Sequence, residues 1–330
     1  MNRLAQALAL GSLILLNACG GGSEDAPPVV AVPLPPPPVQ LALDAGNYQG
    51  AMRSALEWSD AAFSYAKLGA DTADRLINTP LNLPPVFPCP ISGSASISLS
   101  DRNRNRILND GDTLSIFMDR CVSNTIVATG VVRVEVISAE PLGDGRTFQL
   151  LVHIVDLALG SGNPADAAPT INLAATLDFS YTTDFDHYVL TFGEYRRTLS
   201  GQEQSVSNLV IDYLQRYDTQ SYDYLLQGTL GSVGNSGEFR VTTPLSFTGT
   251  IGAFPNAGRL GLSGAANSTA RVSEEGAAAA NSAAVLVSVD TNGDGVADSE
   301  VPEFAWTQLS QPGMFSSLRG RLKLGFLPIP

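Results

Sequence analysis

Nine residues near the carboxyl end, Asp290-Thr291-Asn292-Gly293-Asp294-Gly295-Val296-Ala297-Asp298, place side-chain oxygens at positions 1, 3, 5 and 9 of a short loop. Ca²⁺ takes six to eight oxygens at ~2.3–2.6 Å, and a loop delivers them when alternate side chains turn to a common centre. Gly295 at position 6 permits that turn. The expected ligands are Asp290, Asn292, Asp294, the carbonyl of Val296 and Asp298. Position 12 is Val301, with Glu300 one place early and Glu303 two places late, so a bidentate glutamate is missing. Such a site would be weak, on the order of 10⁻⁴–10⁻³ M, and structural rather than sensory. The competing reading is a solvated turn with no metal.

Other constellations carry less chemistry. Asp101-Arg102-Asn103-Arg104-Asn105-Arg106-Ile107-Leu108-Asn109-Asp110-Gly111-Asp112 has oxygens at positions 1, 3, 5, 9 and 12, but Arg106 replaces the glycine and three arginines oppose a dication. An Asx-turn hairpin tip is expected there. The only histidines are His153, in a strand pattern, and His187, in Asp184-Phe185-Asp186-His187, and neither has metal-ligand spacing with a cysteine. Ser64-Tyr65-Ala66-Lys67 has the SxxK spacing of penicillin-interacting serine enzymes, yet no KTG follows. GxSxG, P-loop and GxGxxG patterns are absent. No catalytic residues are assigned.

The Asp290–Asp298 stretch resembles EF-hand-like DxNxDG loops, and more closely the shorter hairpin version of integrin-type propeller blades, because a strand pattern, Val285–Val289, leads into it. A second resemblance lies at the amino end. Met1-Asn2-Arg3, the apolar run Leu4 to Leu16 and the junction Leu16-Asn17-Ala18-Cys19-Gly20 resemble the signal and lipobox of bacterial lipoproteins. Membership of that family implies cleavage before Cys19, diacylglycerol on its thiol and acylation of the new amino terminus. Several acyl chains anchor stably where one would be marginal. Gly20 in place of Asp implies the outer membrane. The apolar run falls well short of the ~20 residues a spanning helix needs. Residues 1–18 are therefore read as signal peptide. Residues 19–40, rich in Gly and then Pro, form a flexible-to-extended tether, a spacer rather than an SH3-type ligand.

Loss of Arg3 with the signal lowers the basic count from 19 to 18 against 32 acidic residues, taking the net charge from −13 to −14. Only two lysines occur, Lys67 and Lys323. A chain so acidic, with scattered arginines, lacks the footprint of a nucleic-acid binder. It would be repelled by anionic head groups, so membrane attachment rests on the lipid.

Positioning falls to the remaining body, residues 41–330, expected as one large domain. From Asn47 to about Asn78 the apolar residues Tyr48, Met52, Ala55, Leu56, Ala62, Phe63 and Ala66 recur at helical steps, with Asn47 or Asp44 as cap. Gly69 is expected to interrupt this helix, and 70–78 to add a second, shorter one. After Pro90 the period becomes two. Ser94–Ser100, Thr113–Asp119, Gly130–Ser138, Thr170–Thr182, Asn208–Tyr217, Tyr222–Leu230, Glu238–Thr243, Arg259–Gly264 and Val285–Val289 read as strands separated by turns such as Gly143-Asp144-Gly145. The expected fold is mainly β, a long antiparallel curved meander with an amino-terminal amphipathic helix. A transmembrane β-barrel is the rival, weakened by the lack of aromatic girdles. With Cys19 given to lipid, Cys89 and Cys121 remain as an even pair at the base of one hairpin and are expected to form a structural disulfide.

Helix, cysteine-flanked hairpin and late loop together resemble lipoproteins of Gram-negative bacteria that have no assigned activity. Two functions stay open: an envelope protein with a structural or ligand-binding role, the ligand hydrophobic or otherwise drawn from the envelope, and a hydrolase of envelope glycans or lipids. A deep apolar cup in the sheet favours a lipid carrier, and a carboxylate-lined groove favours hydrolysis.

Overall fold

A computed structural model describes residues 39–78, 86–123, 126–160, 169–199, 202–232, 237–273 and 284–309. Cys19, the signal and the tether as far as residue 38 lie outside them.

Among the described residues one α-helix and fourteen strands make up the body. They are α1 (Tyr48–Leu76), β1 (Val86–Pro88), β2 (Ser92–Ser100), β3 (Thr113–Ser123), β4 (Ile126–Leu142), β5 (Gly145–Gly160), β6 (Thr170–Tyr181) and β7 (Phe185–Leu199), then β8 (Gln202–Arg216), β9 (Ser221–Ser232), β10 (Gly237–Thr250), β11 (Ala257–Ser263), β12 (Thr269–Ser273), β13 (Ala284–Asp290) and β14 (Ser299–Ala305). Each strand pairs antiparallel with its sequence neighbours, so the spatial order is the chain order. The expected meander is present. Among the described residues its two edges, β1 and β14, are short, and β1 carries Pro88, which has no N–H to extend a ladder to another chain.

Alternation decides which face is which. Val132, Val134 and Val136 on β4, Leu150, Val152 and Ile154 on β5, and Leu173, Leu177 and Phe179 on β6 are buried. Between them, outward positions such as Arg133 and Asp178 are exposed. Apolar side chains facing inward around a helix are the reverse of a lipid-facing barrel. No described helix is long and apolar enough to cross a membrane.

The helix α1 lies on β4 to β8. Its contact face is unusually small: Ala51, Ala55, Ala62, Ala66, Ala70 and Ala73 are all at most 1% exposed. Gly69 does not break it, contrary to the expectation. A Cβ at Gly69 would lie 2.7 Å from Cγ1 of Val152 and 3.4 Å from Cγ2 of Val134, so the glycine lets the helix backbone settle directly on β4 and β5. The 29 residues therefore form one uninterrupted helix. Asp44 sets its entry by accepting the N–H groups of Gly46 (2.7 Å) and Asn47 (2.9 Å). Aromatic edges complete the seat: Trp58 on Tyr195 (5.2 Å), Phe63 on Tyr188 (5.3 Å) and Tyr48 on Phe304 (6.3 Å).

In an up-and-down sheet, alternate turns collect at opposite ends. The β11–β12 turn holds the start of α1, with Ser268 Oγ accepting from Leu43 N–H at 2.9 Å and Leu41 O from Ala265 N–H at 2.8 Å. The β13–β14 loop belongs to this end. The β2–β3, β4–β5 and β6–β7 connections gather at the other, where α1 exits and Asn78 donates its N–H to Leu108 O (3.2 Å). The expected disulfide joins Cys89 to Cys121 with Cα atoms 5.4 Å apart, at the base of the β2–β3 hairpin.

Candidate functional site: a charged cavity at the helix exit

The last turns of α1 carry Lys67, Asp71 and Asp74 at steps of four and three, which places them on one face. The ends of β5, β6 and β7 close over that face, burying Lys67 and leaving Asp71 and Asp74 half-buried. Lys67 is 6% exposed and its Nζ donates to Asp71 Oδ1 at 2.6 Å. The same ammonium sits 5.8 Å from the centre of the Tyr188 ring, within cation–π range. Tyr188 stacks on Phe179 at 4.3 Å, and Phe179 on Tyr181 at 5.3 Å. Tyr181 Oη donates to Asp74 Oδ1 at 3.1 Å, and Arg146 approaches Asp74 at 3.9 Å. Asp186, 4% exposed, takes an inward position on β7 and accepts from the hydroxyl of Tyr217.

All of these groups except Arg146 and Tyr217 surround a cavity of about 350 Å³, lined also by Asp144, Thr182 and Thr183. Four carboxylates against the Lys67 ammonium, with the Arg146 guanidinium behind Asp74, leave the lining an acidic excess. Burial raises the Asp71 carboxyl above its ordinary range even against the opposing pull of Lys67. Burial likewise raises Asp74, with the Tyr181 hydrogen bond and Arg146 acting against it. The Tyr188 phenol is pushed well up by burial and then by the nearby Asp71 and Asp186 charges. Anions held close together in a partly dry cavity, beside aromatic faces, suit a positively charged solute.

The residues singled out by sequence fall elsewhere. His187 pairs with Asp212 at 2.9 Å and is half-exposed. His153 lies on β5 opposite Arg133 and Ala174. Lys67 is committed to Asp71, which leaves Ser64 without the free amine that SxxK chemistry requires.

In the late loop, Asp290 accepts the N–H groups of Gly293 (2.7 Å) and Gly295 (2.8 Å), Asn292 that of Asp294 (2.8 Å), and Asp294 that of Val296 (2.8 Å). The oxygens of positions 1, 3 and 5 are thus drawn to the inside of one turn. Asp298 instead accepts from Thr291, through its N–H (2.7 Å) and its hydroxyl, which holds its carboxyl below the usual range. Among the described residues no three His, Cys, Asp or Glu side chains are gathered closely enough to hold a metal.

Sequence reasoning did not find the cavity. Its signal, the Lys67/Asp71/Asp74 row, reads from sequence as the wet side of an amphipathic helix. Set against protein-family profiles, characterised proteins and solved structures, the chain has no significant match.

Proposed function

We propose that the chain is an outer-membrane lipoprotein, anchored by acylated Cys19 on the 19–40 tether, whose folded body binds a small cationic solute of the cell envelope. The observation that carries this reading is the acidic, aromatic-walled cavity at the exit of α1. A lipid cargo is disfavoured because the concave face of the sheet is already filled by α1, with Met52, Leu56 and Ala66 fully buried against it. In this reading the late loop binds calcium weakly through Asp290, Asn292, Asp294, the Val296 carbonyl and Asp298, pinning the turn after β13.

A second reading, hydrolysis of envelope glycans, is favoured by one observation. Asp71 and Asp74 are raised carboxyls in a shared cavity, and a raised carboxyl can act as a general acid. The two readings separate experimentally. Native mass spectrometry of the full lipidated protein, followed by calorimetric titration with small amines, should show one amine bound per chain and a loss of at least tenfold in affinity for Asp186→Asn. Absence of amine binding to folded wild type removes the first reading. Release of products from glycan substrates, lost in Asp74→Asn, would establish the second.

A further inference from the structure

The loop between β2 and β3 shares three hydrogen bonds with the late loop at matching positions; the fourth, from the N–H of Gly293 at position 4 to Asp290 Oδ1, has no counterpart at Asp101. Asp101 Oδ2 accepts the N–H of Arg106, as Asp290 Oδ2 accepts that of Gly295. Asn103 Oδ1 accepts the N–H of Asn105 (3.1 Å), as Asn292 does that of Asp294. Asn105 Oδ1 accepts the N–H of Ile107 (2.8 Å), as Asp294 does that of Val296. Left-handed residues occupy positions 4 and 6 in both: Gly293 (φ 76°) and Gly295 (φ 86°) in one, Arg104 and Arg106 (φ 61° each) in the other.

Two further facts distinguish this loop from an ordinary Asx-turn tip. Oδ1 of Asp101 is shut off from solvent and accepts no hydrogen bond. A buried carboxylate oxygen without a donor is costly, and a cation would satisfy it. Asp112, 0% exposed, closes the loop from position 12 by accepting the N–H groups of Arg102 (2.8 Å) and Asn109 (3.0 Å). The late loop has no oxygen side chain at that position. The objection from charge is met by geometry. Arg102, Arg104 and Arg106 alternate with the oxygen-bearing residues and are all exposed, so their charges stand in solvent where salt screens them.

We propose that residues 101–112 form a calcium-binding loop, with Asp101, Asn103, Asn105, the Ile107 carbonyl, Asn109 and Asp112 in the ligand positions 1, 3, 5, 7, 9 and 12. Two carboxylates and four neutral oxygens make it weak, on the order of 10⁻⁴–10⁻³ M. Leu108, fully buried, bridges to Ile77 just past α1, so the ion would fix the end of the sheet from which the helix leaves.

The test is a calcium count by calorimetry on full-length protein stripped with chelator, for wild type, Asp294→Ala, Asp101→Asn and the double variant. Asn at 101 keeps an acceptor for the Arg106 N–H, so the loop retains its shape. Asp294→Ala should keep one bound calcium, and adding Asp101→Asn should remove it. Arg106→Gly, which takes a positive charge from the loop, should bind several-fold more tightly. No calcium on folded Asp294→Ala, or an unchanged count in Asp101→Asn, overturns the proposal. If wild type binds a single ion that only Asp101→Asn removes, this loop stands and the late-loop site falls.

Discussion

Substituting Gly69 by alanine tests how closely the helix is seated on the sheet. In a free or interrupted helix the change should stabilise, since glycine costs about 1 kcal/mol relative to alanine. Here the new methyl would lie 2.7 Å from Cγ1 and 3.3 Å from Cγ2 of Val152, itself 0% exposed and stiff about χ1. Overpacking of this kind costs ~1–3 kcal/mol, which outweighs the gain in propensity. A net loss of up to about 2 kcal/mol should lower Tm by roughly 4–8 °C for a domain of this size, read by circular dichroism. Val152→Ala alone should cost about 2 kcal/mol, as a buried cavity does. In the double variant each change makes room for the other, so the losses should fall short of additive by ~1–2 kcal/mol. A rise in Tm for Gly69→Ala, with no coupling to Val152→Ala, would refute the seating of α1 on β5 and reopen the sheet as a lipid cup.

Other perturbations have equally definite outcomes. Cys89 and Cys121 should resist alkylation until a reductant is added, and Cys89→Ala should cost about 3–4 kcal/mol by freeing a loop with a sequence separation of 32; rapid labelling of the unreduced native protein contradicts this. Millimolar calcium should raise Tm, and Asp294→Ala should reduce that rise; an equal rise in the variant removes the late loop from the account. For Asp74 the folded carboxyl lies above its unfolded value near 3.8, so the folded state binds the extra proton and stability falls as pH rises from that value through the raised one. Asp74→Asn should flatten that part of the Tm profile relative to wild type, and an unchanged slope would mean the carboxyl is not held up by burial.

What sequence could show tracks how local each feature is. Thr170–Thr182 reads almost residue for residue as β6, because its alternation is unbroken from Ile171 to Phe179. In β4 only Gly130–Ser138 is legible, since the register shift after Val136 puts an extra residue in the strand and turns Ala139 toward the core where the earlier alternation would face it outward. The start of β7 is hidden by Asp186, a charge at an inward position that suggests a turn until Tyr217 and the cavity are seen around it. Gly69 carries two meanings, break or close approach, and only Val152 across the interface selects the second. The cysteine pair was legible because strand pairing alone brings its ends together. The cavity was not, because Lys67, Asp71 and Asp74 come to line it only when three strand ends distant in sequence fold over them. Likewise, the arginines of 101–112 argue against a cation until the fold shows all three exposed to solvent.

The proposed anchor at Cys19 underlies the proposed envelope role, and metabolic labelling tests it most directly. Full-length protein produced in a Gram-negative cell with labelled palmitate should carry the label and sediment with outer membranes, whereas Cys19→Ser should be unlabelled and released from them. Label persisting on the Cys19→Ser protein, or a wild type that is soluble and unlabelled, would contradict the account.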